Sequence, residues 1–218
     1  MNASLRFDKM TFINRYCHIQ KRSLIWQGNT IFTSPIGTLD DFFEEAFKYL
    51  SLSYPKFYKM DRLSKLGFLA SEMLLKDVPL FPRYEPDQVA LVLSNAASSL
   101  DTDLRFAESI KTISSPALFV YTLPNIVAGE ICIHQGITGE NAFFVFQAFD
   151  AQQMTDYVNL VMASEKNHAC IGGWVEIMGD RHDVFLYLVE KERGANGVEH
   201  TAEQLHQIYK QNYGTIDG

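Results

Sequence analysis

The sequence predicts an α/β domain built around a mostly parallel sheet, and three observations support this class. The runs VALVL at 89–93 and AFFVF at 142–146 are apolar without alternation, which is typical of strands buried on both faces. Segments with helical spacing of their apolar residues separate these runs. The last two strands, at 169–178 and 183–189, are joined by a short turn at 179–181 and should be antiparallel.

The other elements follow from local patterns along the chain. Strands are predicted at 11–19 and 23–32, and helices at 38–50, 61–75, 101–110, 116–135 with an interruption at Pro124, 151–163 and 201–213. Thr38 is the expected N-cap of the first helix, and Asp101 or Thr102 that of the third. We expect a single domain over 1–218, in which the segment 195–218 supplies a terminal helix.

Composition excludes several classes of partner. The 218 residues include 26 acidic and 19 basic side chains, which gives a net charge of −7 and argues against nucleic acid or an anionic membrane. The longest uncharged run, 112–129, contains two prolines, so no transmembrane helix is expected. The N-terminus lacks a secretory apolar core, and three scattered cysteines fit a reducing cytoplasm.

Motifs that would carry chemistry are missing. The sequence has no P-loop, dinucleotide fingerprint, GxSxG, HExxH or paired CxxC, and we expect neither a cofactor nor a metal. We expect each of the six histidines to lie at the surface or at a helix end. Cys132 and Cys170 lie in apolar runs and are interpreted as buried structural thiols.

An ordered series of short motifs indicates a resemblance to a known protein family. It comprises SPALF at 115–119, LPN at 123–125, AG at 128–129 and GITGEN at 136–141. Together with MDRLSKLGFLASEML at 60–74, VALVLSNAASSLDTDLRF at 89–106 and HACIGGWVEIMGDRHDVFLYLVE at 168–190, this series resembles the N-terminal half of a β-ketoacyl-acyl-carrier-protein synthase. The resemblance covers about residues 10–190. It implies a thiolase-like half, with a mixed, mostly parallel five-stranded sheet and helices on both faces.

The resemblance also implies that the reactive group is missing. Counting from Gly139, the nucleophilic cysteine of that family falls on Ala148, whose methyl group cannot be acylated. Chain-length factors of the family often carry Gln there, but Gln147 is one residue away, and adjacent strand residues point to opposite faces. The family's catalytic histidines lie in a C-terminal half that has no counterpart in the 218 residues.

The implied function is a catalytically inactive, chain-length-factor-like accessory subunit in fatty-acid or polyketide-type biosynthesis, for example of a polyene pigment. Its implied partners are a second copy or a full-length ketosynthase, and an acyl carrier protein. One alternative is an acyl-thioester-binding enzyme with residual acyltransferase, hydrolase or decarboxylase activity. Another is a purely structural or regulatory homodimer.

Candidate residues for a pocket or dimer seam follow from the same motifs. They are Pro124, Asn125, Asn141, Phe144, Phe146 and Phe149. The three phenylalanines either fill the core or limit an acyl tunnel. In the resembling family the strand at 142–146 pairs across a two-fold axis. The helix at 151–163 would also leave one face open, to be covered by the terminal helix or by another subunit.

Overall fold

The chain forms one sheet with helices on both faces in the computed structural model, which describes residues 10–78, 80–111 and 115–211. The strands are β1 (Phe12–Gln20), β2 (Ser23–Trp26), β3 (Asn29–Thr33), β4 (Val89–Asn95), β5 (Asn141–Val145), β6 (Ala169–Met178), β7 (Arg181–Glu190) and β8 (Val198–Glu199). The α-helices are α1 (Leu39–Tyr49), α2 (Arg62–Leu74), α3 (Leu100–Ser109), α4 (Pro116–Val120), α5 (Ile126–Gln135), α6 (Ala151–Met162) and α7 (Ala202–Gln211). No helix of the described ranges is both long and apolar enough to cross a bilayer.

The strand order is β3-β2-β1-β7-β6-β4-β5, with β8 paired to β1. Parallel pairing occurs between β4 and β5 and between β4 and β6, whereas the other pairs are antiparallel. The α/β class and the mixed sheet are therefore confirmed. The expectation of five mostly parallel strands is wrong, because the β1–β2–β3 meander and the β6–β7 hairpin bring eight described strands into the sheet, most of them antiparallel.

Each face of the sheet carries its own apolar layer. On β4, Leu91 and Leu93 face α1, α2 and α5, whereas Ala90 and Val92 face α6 and α7. All seven residues of β4 are buried. The prediction of a strand buried on both faces is thus confirmed for 89–93, and this strand forms the middle of both cores.

Local signals explain where several elements begin. Thr38 caps α1 as predicted, and its hydroxyl accepts from the N–H of Asp41 while the Asp41 carboxylate accepts from the N–H of Thr38. The expected cap at Asp101 or Thr102 is wrong, because α3 begins after Ser99. The predicted strand at 23–32 is a hairpin, since Gln27 and Gly28 both adopt positive φ and reverse the chain.

The terminal helix α7 packs on the same face of the sheet as α6. Leu205 and Ile208 of α7 share an apolar cluster with Met154 and Val158 of α6. The ring of Tyr209 lies 4.1 Å from that of Phe149, just ahead of α6. This helix therefore covers apolar surface beside α6 within the chain itself.

The two ends of the sheet differ in character. β3 has the polar residues Asn29, Thr30 and Thr33, and its pairing with β2 contains a register shift. β5 is apolar apart from Asn141, and Val145 is 54% exposed. The expectation that 142–146 is buried on both faces is wrong for the single chain, because β5 is an edge strand paired only with β4.

Two glycines shape the turn that connects α5 to β5. Gly136 ends α5 in the left-handed region at φ 72°, and its N–H donates to the carbonyl of Cys132. Gly139 lies so close to β4 that a Cβ on it would be 2.2 Å from the carbonyl oxygen of Val89. The turn therefore presses the chain against β4 and starts the parallel ladder there.

Two histidines are buried, which corrects the expectation of surface positions for them. His18 of β1 is fully buried and stacks on Phe185 with ring centroids 4.5 Å apart. His200, which follows β8, is 4% exposed. Burial lowers the pKa of both imidazoles to about 3, so both are neutral in the folded protein at neutral pH.

Replacing Gly139 with Ala should destabilise the fold by about 1–3 kcal/mol, because the added methyl group collides with the backbone of Val89. Gly129→Ala is the matched control, since nothing lies within 4 Å of a Cβ there and Ala favours a helix by about 1 kcal/mol. Urea unfolding of both variants measures the difference. Equal effects of the two substitutions would contradict the close approach.

Stability should fall as the pH is lowered from 7 to 5. The unfolded chain takes up protons on His18 and His200 below pH 6.5, whereas the folded chain does not until about pH 3. Each histidine then costs about 2 kcal/mol at pH 5 relative to pH 7. Urea titrations at pH 7, 6 and 5 test this, and His18→Phe should lessen the loss by that amount. An unchanged pH dependence in the variant would rule out the buried neutral state of His18.

Candidate functional site

The parallel strands β4, β5 and β6 end on one side of the sheet, and we call this side the carboxyl-end surface. Asn95 ends β4 opposite Val145 of β5, while Ser94 is paired with Trp174 of β6. The N–H of Phe146 donates to the carbonyl of Asn95 at 2.9 Å. In sheets of this kind, ligands bind where parallel strands end, so the segments that follow β4 and β5 form the candidate site.

Ala148 lies on this surface between the end of β5 and the start of α6. Gln147 and Ala148 are both exposed. Asp150 then caps α6, since its Oδ1 accepts from the N–H of Gln153 at 2.9 Å, and this hydrogen bonding to Gln153 lowers the pKa of the carboxyl. The chain thus presents residue 148 to solvent ahead of a helix N-terminus, and the group presented is a methyl.

The loop after β4 is held by a carboxylate that the sequence reading did not identify. Glu176 Oε2 accepts from the N–H groups of Ala96 at 2.6 Å and Ala97 at 3.1 Å. Asn95 and Ser98 exchange two further hydrogen bonds of 2.8 and 2.9 Å. Glu176 is therefore committed to shaping the loop. Its signal in the sequence is a single acidic residue inside the apolar strand CIGGWVEIM.

The start of α5 lies on the same side of the molecule. Ser99 Oγ donates to the carbonyl of Thr122 at 2.7 Å, two residues before Pro124. Asn125 is exposed and begins α5 without a side-chain capping bond. The carboxyl-end surface therefore includes Pro124 and Asn125 together with the loop after β4.

Asn141 lies elsewhere. It is exposed at the opposite end of β5, four residues before Val145, which is about 13 Å along a strand. Asn141 and Ala148 therefore belong to different ends of the sheet, and Asn141 is part of the exposed edge rather than of the carboxyl-end surface.

The three candidate phenylalanines form two aromatic groups. Phe144 and Phe146 stack with Tyr157 of α6, with ring centroids 4.0 Å apart for Phe144 and 6.4 Å for Phe146. Phe149 instead contacts Tyr209 and meets Phe185 edge-on at 5.6 Å. These contacts anchor the strand to α6 and α7, as core packing requires, and the tunnel interpretation stays a prediction.

The thiols are poorly suited to nucleophilic chemistry. Cys17 and Cys170 are fully buried, and burial raises the pKa of both. Cys132 is half-buried, and burial raises its pKa to about 11. All three are therefore protonated at neutral pH and react slowly as nucleophiles. Among the residues that the structure describes, no group of three His, Cys, Asp or Glu side chains is placed to hold a metal ion.

No protein-family model matches the sequence, and no curated protein resembles it closely enough to count as a match. Solved structures do resemble the fold. The ishigamide ketosynthase/chain length factor superposes with a TM-score of 0.62 at 17% identity, over 83% of this chain and 62% of that one. A type II polyketide synthase ketosynthase in complex with its acyl carrier protein and bound to a hexaketide gives 0.57 at 15% identity, over 84% of this chain and 62% of that one.

A ketosynthase in complex with its chain length factor from Xenorhabdus doucetiae gives a TM-score of 0.53 at 13% identity, over 94% of this chain and 92% of that one. The chain therefore spans about three fifths of the first two structures and nearly all of the third. At these identities the similarity concerns the fold, and the chain has the fold found in ketosynthases and chain length factors.

Proposed function

We propose that the protein is a ketosynthase-like accessory subunit that does not condense acyl groups and acts beside a full-length ketosynthase in fatty-acid or polyketide-type biosynthesis. The observation that carries the proposal is Ala148. It is exposed between the end of the edge strand β5 and the start of α6, where the resembling family presents a cysteine, and its methyl group cannot form a thioester.

The edge strand β5 supports a partner. A strand with apolar residues at four of five positions and no neighbour on one side is a template for pairing with another chain. The N–H of Leu91 donates to the carbonyl of Glu140, and the N–H of Phe146 to that of Asn95. Because backbone groups alternate along a strand, those of Asn141, Phe143 and Val145 point away from β4 and are placed to bond a second strand.

Exposed apolar side chains also occur on α3, on α4 and just before α5. Leu104 on α3, Phe119 on α4 and Leu123 before α5 are each more than half exposed. Ring contact of Phe106 with Phe119 at 5.4 Å joins α3 to α4. Exposed apolar side chains in this number on neighbouring elements favour burial against a protein surface. A full-length ketosynthase of the same fold has a matching edge strand to offer, and an acyl carrier protein would then serve the pair.

Burial raises the pKa of the thiols of Cys132 and Cys170, which weighs against the alternative of a residual thiol-based acyltransferase or hydrolase. The structural or regulatory homodimer would use the same edge of β5. Light scattering of the purified 24.8 kDa chain distinguishes a homodimer from a complex with a ketosynthase, because a homodimer has twice this mass without added ketosynthase.

Val145→Pro should abolish partner binding. Proline removes the outward N–H of residue 145 and leaves the N–H groups that face β4 in place. Recovery of a ketosynthase with the tagged full-length chain from native cells, identified by mass spectrometry, should drop at least about tenfold. Val145→Thr keeps both the N–H and the β-branched shape, and it should bind as the unchanged chain does.

Unfolding curves of both variants show whether the fold persists. Equal recovery of the ketosynthase with Val145→Pro would contradict pairing through β5. If the unchanged chain brings down no ketosynthase at all, the accessory-subunit proposal is wrong.

Ala148→Cys should create one thiol that reacts rapidly with iodoacetamide, at least about tenfold faster than the native thiols, because the position is exposed. Intact-mass spectrometry at pH 7.5 follows the labelling. Ala46→Cys, at a fully buried alanine of α1, is the control and should remain unlabelled. A protected thiol at 148 would show that this position is not presented to a substrate or partner.

A further inference from the structure

A cleft of about 310 Å³ opens where β8 and the start of α7 meet α6. The described residues that line it are Met10, Thr11, Gln152, Thr155, Asp156, Asn159, Glu199, His200, Thr201 and Ala202. None of these residues forms the loop after β4 or the segment around Ala148. The cleft is therefore separate from the surface to which the proposed function refers.

His200 presents a fixed hydrogen-bond acceptor in this region. Its Nδ1 lies 2.9 Å from Oδ1 of Asn159, which also accepts from the hydroxyl of Thr11 at 3.2 Å. An amide oxygen only accepts, so Nδ1 carries the proton and Nε2 has the lone pair. Nε2 is buried and has no hydrogen-bond partner among the described residues.

Thr155 adds a second polar atom without a partner. It lies one helical turn before Asn159 on α6 and is 5% exposed. Its Oγ1 is buried and makes no hydrogen bond within the described ranges. Each unsatisfied polar atom of this kind costs about 1–3 kcal/mol, so a donor that reaches both would be bound favourably.

The charge around the cleft selects the kind of donor. Asp156 and Glu199 are exposed at its rim. The described lining contains neither lysine nor arginine. A cation gains from these two carboxylates, whereas an anion is repelled.

Binding fits this arrangement better than catalysis does. Burial lowers the pKa of His200 to about 3, which makes its ring a weak base at neutral pH. An imidazole held neutral still accepts a hydrogen bond well, so the residue is suited to recognising an N–H group.

We propose that this cleft binds a small primary ammonium compound, whose N–H groups donate to His200 Nε2 and Thr155 Oγ1 while Asp156 and Glu199 offset its charge. The site lies on the α6 and α7 face, so occupancy would tie the start of α7 to α6. The inference is independent of any ketosynthase partner.

The test follows thermal unfolding of the full-length chain in ethanolammonium chloride, against sodium chloride at equal ionic strength and against ethylene glycol. We expect a saturable rise in Tm with ethanolammonium alone, because only this probe combines N–H donors with a positive charge. Saturation separates binding from general ion effects.

Variants locate the site. Thr155→Val should weaken the affinity at least about tenfold, while stability without ligand stays the same or rises because an unpaired buried hydroxyl is removed. Asp156→Asn should weaken it severalfold. Glu45→Gln, an equal charge change at an exposed position of α1, should leave it unchanged.

Three outcomes would overturn the proposal. The first is the absence of a saturable difference between ethanolammonium and sodium. The second is an equal rise with ethylene glycol, and the third is an unchanged affinity in Thr155→Val. None of them bears on pairing through β5, so the two proposals fail separately.

Discussion

Contact between Gly139 and the backbone of Val89 holds the start of β5 against β4, and the parallel ladder of these two strands extends from it. The ladder ends at Asn95 and Val145, which brings the segment with Ala148 beside the loop that Glu176 holds. The same ladder uses up one side of β5 and leaves the other open. A side chain at residue 139 would therefore disturb both the presented position and the pairing edge.

Some elements could be predicted from residues that are close together in the sequence, because an apolar run or a capping pair indicates them directly. The run VALVL gave β4, and Thr38 with Asp41 gave the start of α1. The order of the strands was not accessible in this way, because β1 pairs with β7 more than 160 residues away. β8 has only two residues, and Gln27 with Gly28 is a weaker turn signal than Asn with Gly, so both features escaped notice.

The candidate site was predictable only in part for a similar reason. The spacing of the glycine turn placed Ala148 near a strand end, and the structure has it there, exposed. The role of Glu176 depends on a contact with residues 80 positions away, which no local pattern contains. Burial of His18 likewise depends on Phe185 of β7 and Tyr209 of α7, and His200 is held by Thr11 and Asn159. These contacts are distant in sequence, so the sequence offered only two ordinary histidines.

Charged and reactive groups of the described chain are largely engaged in holding the structure. Glu176 binds two backbone N–H groups, Asp150 caps α6, and Glu190 accepts from Tyr84 at 2.7 Å and pairs with Arg83 at 2.8 Å. Such committed carboxylates gain stability from their present partners and would lose it on taking up a proton from a substrate. Along β5, by contrast, the side away from β4 has no neighbouring strand among the described residues.

The difference between the two sheet edges limits how many chains can assemble through strand pairing. β3 and β5 have the same length, but β3 is polar at three of five positions and its pairing with β2 contains a register shift, which discourages another strand from adding to it. β5 is apolar at four of five positions and pairs with β4 without a shift. If a chain joins through β5, that pairing uses up the apolar edge of the sheet in the part of the chain that the structure describes. Growth then stops at two bodies, and the assembly closes instead of extending into a fibre.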